Sequence, residues 1–184
     1  MRTLSVDWRL VLVAVATFGV PGTVHAQNLD AVISSFYPSV SRAVASKSIA
    51  AYEGTFKSHL APGFSYMEWT GVKSDFAIMV RQVRADLAVF NTVTLASDQV
   101  IRYKSFGNHA LVLVGHKVQG FSVDKAGKRH TLEIDGRSED MWRELNGSWR
   151  IWSTKWISHL YVKDGNVPRG RQKPVPAGHS GFES

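Results

Sequence analysis

Cysteine is absent from the 184 residues. That excludes a disulfide framework, a thiolate nucleophile and any cysteine-based metal site. No histidine or carboxylate pair has the local spacing of H-x-x-x-H, so no structural metal is predicted. Also missing are G-x-S-x-G, a glycine-rich phosphate loop, a dinucleotide fingerprint and any internal repeat, and no cofactor is expected. Long apolar runs are scarce: Leu10–Val20 is too short to span a bilayer as a helix, and no transmembrane segment is predicted.

That run does match a secretory signal. Arg2 and Arg9 precede or flank it, Pro21-Gly22 breaks it, and Val24-His25-Ala26 supplies the small residues of a cleavage site. The sequence predicts a signal peptide over residues 1–26, cleavage after Ala26, and a periplasmic or secreted mature chain. Export without cysteine suits a domain that relies on its core for stability. Two arginines and one aspartate leave with the peptide, so the formal charge of +7 falls by one. The remaining basicity weakly favours anionic ligands and is silent about fold.

Hydrophobic content of 44% and charged content of 20% are ordinary for a globular protein, and the length suits one domain with a real core. Leu29, Val32, Ile33, Phe36, Val40 and Val44 recur at helical spacing, with Pro38 expected to kink or restart the helix. Ser46 or Ser48 caps a second helix carrying Ile49, Tyr52, Phe56 and Leu60, which Ala61-Pro62-Gly63 is expected to stop. A short extended piece, Phe64–Trp69, leads to a third helix whose apolar side includes Phe76, Met79, Val80, Val83 and Leu87.

From Phe90 the period changes to two. Thr92–Phe106, His109–Val123, His130–Leu145 and Trp149–Val162 read as four long antiparallel strands. Three helices followed by such strands predict an α+β fold, one strongly curved sheet with the helices on its concave side. Residues 27–163 form this domain, and residues 164–184 read as a flexible basic tail. The tail's minority reading is a weak contact with anionic lipid, nucleic acid or polysaccharide; no nucleic-acid partner is expected.

Gly136–Trp156 is the stretch that organises the chain. Asn146-Gly147 is a strong type I′ hairpin signal, since both central residues need φ > 0. Counting outward from that turn sets Glu144 opposite Trp149, Trp142 opposite Ile151 and Asp140 opposite Ser153. One face then carries Ser138, Asp140, Trp142, Glu144, Ser153 and Lys155, and is assigned to the core or cavity. The other carries Arg137, Glu139, Arg143, Trp152 and Trp156, and is assigned to water or to a homodimer partner. Asp140 and Lys155 become a base with an electrostatic partner, or a structural ion pair. His116 is a mid-strand base or a packed histidine. Trp69, Trp142 and Trp149 are candidates to line an apolar pocket, and Tyr52 and Tyr66 to present phenols.

The element order, together with Phe64-Ser65-Tyr66 leading to Trp69-Thr70-Gly71, and Gly136-Arg137…Asp140-Met141-Trp142 followed by Gly147-Ser148-Trp149-Arg150-Ile151, resembles the nuclear-transport-factor-2-like superfamily. The nearest branches are the SnoaL-like and ketosteroid-isomerase-like ones of unknown function, over about residues 30–160. The resemblance implies a cone whose open end holds a pocket for a small molecule, used for binding or for isomerisation, dehydration, cyclisation or epoxide hydrolysis. It also implies dimers through the outer sheet face. Arg137 and Glu139, two apart, are similar to an epoxide hydrolase pair. The second acid that such enzymes take from the last strand is missing at Ser153, Thr154 and Lys155. For ketosteroid isomerisation the nearest acid to the expected base position is Glu68, with Tyr52, Tyr66 or Tyr103 as a phenol donor.

Overall fold

The computed structural model describes residues 28–167. The predicted signal peptide and the tail beyond Val167 lie outside the described residues. Three helices, α1 (Leu29–Ala45), α2 (Ile49–Lys57) and α3 (Phe76–Ala88), combine with six strands. The strands are β1 (Leu60–Met67), β2 (Lys73–Ser74), β3 (Thr92–Phe106), β4 (His109–Val123), β5 (Arg129–Leu145) and β6 (Ser148–Lys163).

Each helix begins where a short polar side chain satisfies an orphan backbone donor. Asn28 accepts from the N–H of Asp30, Ser48 from Ala51 and Asp75 from Ile78. Pro38 does not restart α1, which runs unbroken through it. Nor does Ala61-Pro62-Gly63 stop α2. That helix ends at Lys57, and the tripeptide belongs to β1, where the pairing with β6 is irregular between Leu60 and Ser65 and Gly63 takes φ 75°. An irregular strand start tolerates a proline that a regular ladder would reject.

The sheet order is β2-β1-β6-β5-β4-β3. β1 runs parallel to β6, and the other pairings are antiparallel. At the β5–β6 turn Asn146 has φ 51° and Gly147 φ 75°, as a type I′ turn requires. The helices cover one face of this curved, unclosed sheet. Phe36 of α1 meets Trp142 of β5 edge-on at 5.2 Å, and Phe36, Val112, Val114, Trp142 and Ile151 are all essentially inaccessible. Burying each such side chain stabilises the fold by about 1.5–3 kcal/mol relative to leaving it exposed.

Four extra residues break the antiparallel ladders. Thr94 and Ile101 are unpaired in β3, while Trp152 and Ile157 are unpaired in β6. Such bulges shift every later residue by one and so exchange the faces. Glu144 lies opposite Trp149 and Trp142 opposite Ile151, as turn counting predicts, but past Trp152 the partner of Asp140 is Thr154 and that of Glu139 is Lys155.

Candidate functional site

The bulge at Trp152 turns Thr154 and Trp156 inward. Room for the Trp156 ring exists because residue 136 is glycine: a Cβ there would lie 2.5 Å from Trp156 Cζ3 and 2.8 Å from the Ser158 carbonyl oxygen. Trp156 then stacks on the His116 imidazole, centroids 4.6 Å apart and planes 29° apart. The bulge at Ile101 acts likewise on β3. Counting from the Phe106/His109 turn would set Gln99 opposite His116; the extra residue sets Asp98 there instead.

A chain of polar contacts results. His116 Nδ1 lies 2.6 Å from Asp98 Oδ1, and His116 Nε2 lies 2.8 Å from Ser138 Oγ. An ionised carboxylate only accepts, so Nδ1–H donates to Asp98, and in the neutral imidazole Nε2 is then the acceptor that faces Ser138. Helix α1 fixes Asp98 from the other side: Ser41 Oγ donates to Asp98 Oδ2 at 2.7 Å and accepts from the Asp98 N–H at 2.8 Å. Ser138 Oγ also stands 3.5 Å from Asp140 Oδ1, a far weaker contact. Asp140 accepts from the Tyr37 hydroxyl at 2.8 Å, and Trp142 Nε1–H donates to that same hydroxyl at 3.1 Å.

Burial pushes the Asp140 carboxyl above the usual carboxylate range, with the Asp98 charge adding to the rise; His116, Tyr37 and Thr154 act against it. Burial, then the charge of Asp140, raises the Tyr37 phenol well above its ordinary value. Tyr52 is raised by burial first and by Asp98 second. Thr154 lies near enough to favour ionised Asp140, yet its hydroxyl oxygen is buried without a well-aligned hydrogen-bond partner. His159 Nε2 is buried in the same condition, 3.6 Å from Asp86 Oδ2 and outside hydrogen-bond reach.

These groups line a cavity of about 80 Å³ between the helices and the sheet. Its other walls are apolar, with Val40, Val44, Met79, Val83 and Leu87 among them. A second cleft of about 180 Å³ adjoins it and shares Val83, Asp86, Trp156 and His159 as a common wall. Among the described residues no group of three or more His, Asp or Glu is arranged to hold a metal ion, and no helix is long and apolar enough to cross a membrane.

Of the residues singled out by sequence, His116, Asp140 and Tyr52 line the cavity. Trp142 lies beneath it as a core residue. Tyr66 and Trp69 line the adjoining cleft, where the Tyr66 hydroxyl donates to Gln82 Oε1 at 2.6 Å and burial raises the phenol. Glu68 sits before the turn to β2, accepts from the Thr70 hydroxyl at 3.3 Å, and lines neither space. The Asp140–Lys155 pair does not form. Lys155 is carried to the outer face, where Nζ lies 4.0 Å from Glu139 Oε2. Arg137 is exposed on that same face, so Arg137 and Glu139 do not enter the cavity either. Trp156, assigned by counting to the outer face, is inside.

Turn counting alone misses Tyr37, Asp98, Thr154 and His159. The only sequence signal for Asp98 is an acid in the middle of an otherwise uncharged strand segment, and its partner depends on a bulge that no local pattern announces.

No protein-family model matches the chain, and neither does any curated protein. Solved structures do. Kfla4162 protein from Kribbella flavida superposes with a TM-score of 0.54 at 11% identity, covering 72% of this chain and 92% of that one. A conserved protein from Planctomyces limnophilus gives 0.53 at 10% identity, covering 73% and 96%. An NTF2-like protein from Cytophaga hutchinsonii is more distant, with a TM-score of 0.48, 11% identity and coverage of 71% and 98%. At such identities likeness speaks to fold alone. By element order, sheet topology and the placement of its helices, the chain has the α+β cone fold expected of the nuclear-transport-factor-2-like superfamily.

Proposed function

We propose that the chain binds a small, mostly apolar molecule in its cone cavity and moves a proton on it without a cofactor, His116 accepting the proton. One observation carries this reading: His116 is held by Asp98 at 2.6 Å through Nδ1, which directs Nε2 to the polar floor of the cavity, beside Ser138 and facing apolar walls. The substrate class that suits these walls is a compact carbonyl compound. Charge developing on its oxygen would meet the buried Thr154 hydroxyl, which has no well-aligned hydrogen-bond partner. The cavity and the cleft behind Trp156 and His159 together give room for a molecule longer than the inner chamber alone admits. Asp140 supports the polar floor by holding Tyr37 in place rather than by taking the substrate proton itself. The proposal includes export after removal of residues 1–26 and leaves the outer sheet face for a homodimer.

A native mass spectrum of the mature protein from its own exported fraction tests the binding step. A co-purifying small molecule is expected, and Val83→Trp, which fills the wall shared by cavity and cleft, is expected to displace it. A protein that is empty, and that no panel of small carbonyl compounds stabilises against heat, would overturn the proposal. The strong mutual hydrogen bonding of the polar floor favours a second reading, a binding protein without turnover. His116→Gln separates the two: a ligand that stays bound and unchanged in both forms supports binding alone.

A further inference from the structure

We infer that Ser138 Oγ is a nucleophile and that the cavity accepts a short-chain apolar ester, an acyl-transfer activity that rests on the cavity admitting a small molecule. Three groups on three adjacent strands stand in nucleophile–base–orienter order: Ser138 on β5, His116 on β4 and Asp98 on β3. The two links measure 2.8 Å and 2.6 Å, both within the range that proton transfer needs. Strands hold such groups more rigidly than loops, and two of the three members are further fixed. Ser41 grips the second oxygen of Asp98, and Trp156 covers one face of the imidazole.

A serine that merely filled hydrogen bonds could be held by Asp140, but that contact is 3.5 Å long; the short bond is to the carboxylate-oriented imidazole. The backbone donors of β5 are committed to its two ladders. Stabilisation of a tetrahedral oxyanion therefore falls to side chains. Thr154 Oγ1, near Asp140 but without a well-aligned hydrogen bond, and His159 Nε2, 3.6 Å from Asp86 Oδ2, are both buried and both line the cavity. Thr154 follows the same β5–β6 register that sets Trp156 opposite Ser138.

In the step inferred, the Ser138 oxygen forms a bond to the acyl carbon while its proton passes to His116 Nε2. The tetrahedral adduct then expels the alkoxide, which takes that proton and leaves as the alcohol. Water, deprotonated by the same nitrogen, attacks the acyl-serine and releases the carboxylic acid, restoring the Ser138 hydroxyl. The sum is ester plus water giving acid plus alcohol, with no oxidant or cofactor.

Diisopropyl fluorophosphate is small enough to serve as the probe. The mature protein is expected to take up one phosphoryl group per chain, mapped by peptide mass spectrometry to Ser138, with release of fluoride. Ser138→Ala should take up none, and His116→Gln should react about 100-fold more slowly, the scale of a lost general base. p-Nitrophenyl acetate in excess over the protein should show a burst approaching one p-nitrophenolate per chain. An unlabelled wild-type protein, or an adduct on Tyr52 or Tyr66 in its place, would overturn the inference. If the native spectrum shows a bound molecule while Ser138 stays unlabelled, the cavity reading stands and the nucleophile alone falls.

Discussion

Asp140 is where the chemistry of a single residue is most exposed to test. It is 2% accessible, and burial raises its pKa, so the folded chain holds this proton more tightly than the unfolded chain does. Its ionised form therefore weakens folding above the ordinary carboxylate range, and stability recovers as pH falls through the raised value. Asp140→Asn removes the buried charge and keeps an oxygen that can accept from Tyr37. At pH 7–8 the variant is expected to melt no lower than the wild type, with any advantage shrinking as the pH is lowered. A melting temperature that falls at neutral pH would show that the charge itself is stabilising. Trp142 is the opposite case: it is wholly buried, its ring packs against Phe36, and its indole N–H holds the Tyr37 hydroxyl. Trp142→Ala should cost about 3–5 kcal/mol in urea denaturation.

Among the elements, β6 decides the site. Gly136→Ala would place a methyl against Trp156 and the Ser158 carbonyl. The ring must then leave its stack on His116, at a cost of about 1–3 kcal/mol for overpacking, with a visible change in tryptophan fluorescence. The bulge gives a sharper contrast. Deleting Trp152 alone removes the extra residue but leaves Thr154 and Trp156 facing inward, so the variant should still unfold cooperatively. Deleting Trp152 and Ser153 together swings Lys155 in beside Asp140 and turns Trp156 out. That exchange buries a lysine at the place of a threonine and should cost more than about 3 kcal/mol, or abolish cooperative unfolding altogether. Equal behaviour of the two deletions in a chemical melt would refute the role assigned to the bulge. At the helix starts the effects are smaller: Ser48→Ala, which removes the cap of α2, should cost about 1 kcal/mol.

At the scale of the whole molecule, the far end of the sheet is closed by His130, whose Nδ1 lies 2.6 Å from Asp164 and whose Nε2 lies 3.1 Å from Asp124. Asp164 first, and Asp124 second, raise the imidazole pKa, while His130 is the main cause lowering both carboxyls. The imidazolium contribution is fully present below the unfolded histidine value near ~6.5 and is lost as pH rises through the raised folded value. The carboxylate contributions are present above their unfolded values and are lost as pH falls through the lowered ones. His130→Gln should therefore be less stable than the wild type at pH 5–6 and converge with it in alkaline solution. A gap of constant size across a pH series of urea melts would show that the clamp is not ionic.

Much of this molecule was legible without coordinates. The helical spacing of Val32, Phe36 and Val40, a serine cap at Ser46 or Ser48, and the period of two from Thr92 to Val162 each express a local preference, and local preferences are written locally. Asn146-Gly147 likewise set its own turn, because few other residue pairs accept positive φ in succession. From these the α+β order and the one-sided covering of the sheet followed. What the tertiary structure decided is which residues share the cavity. A strand's faces exchange with each unpaired residue, and whether Ile101 and Trp152 bulge depends on how four strands coil together around the helices. Those two choices brought Asp98 to His116, turned Thr154 and Trp156 inward and sent Lys155 out. The polar site was assembled across strands by packing, where no spacing along the chain could record it.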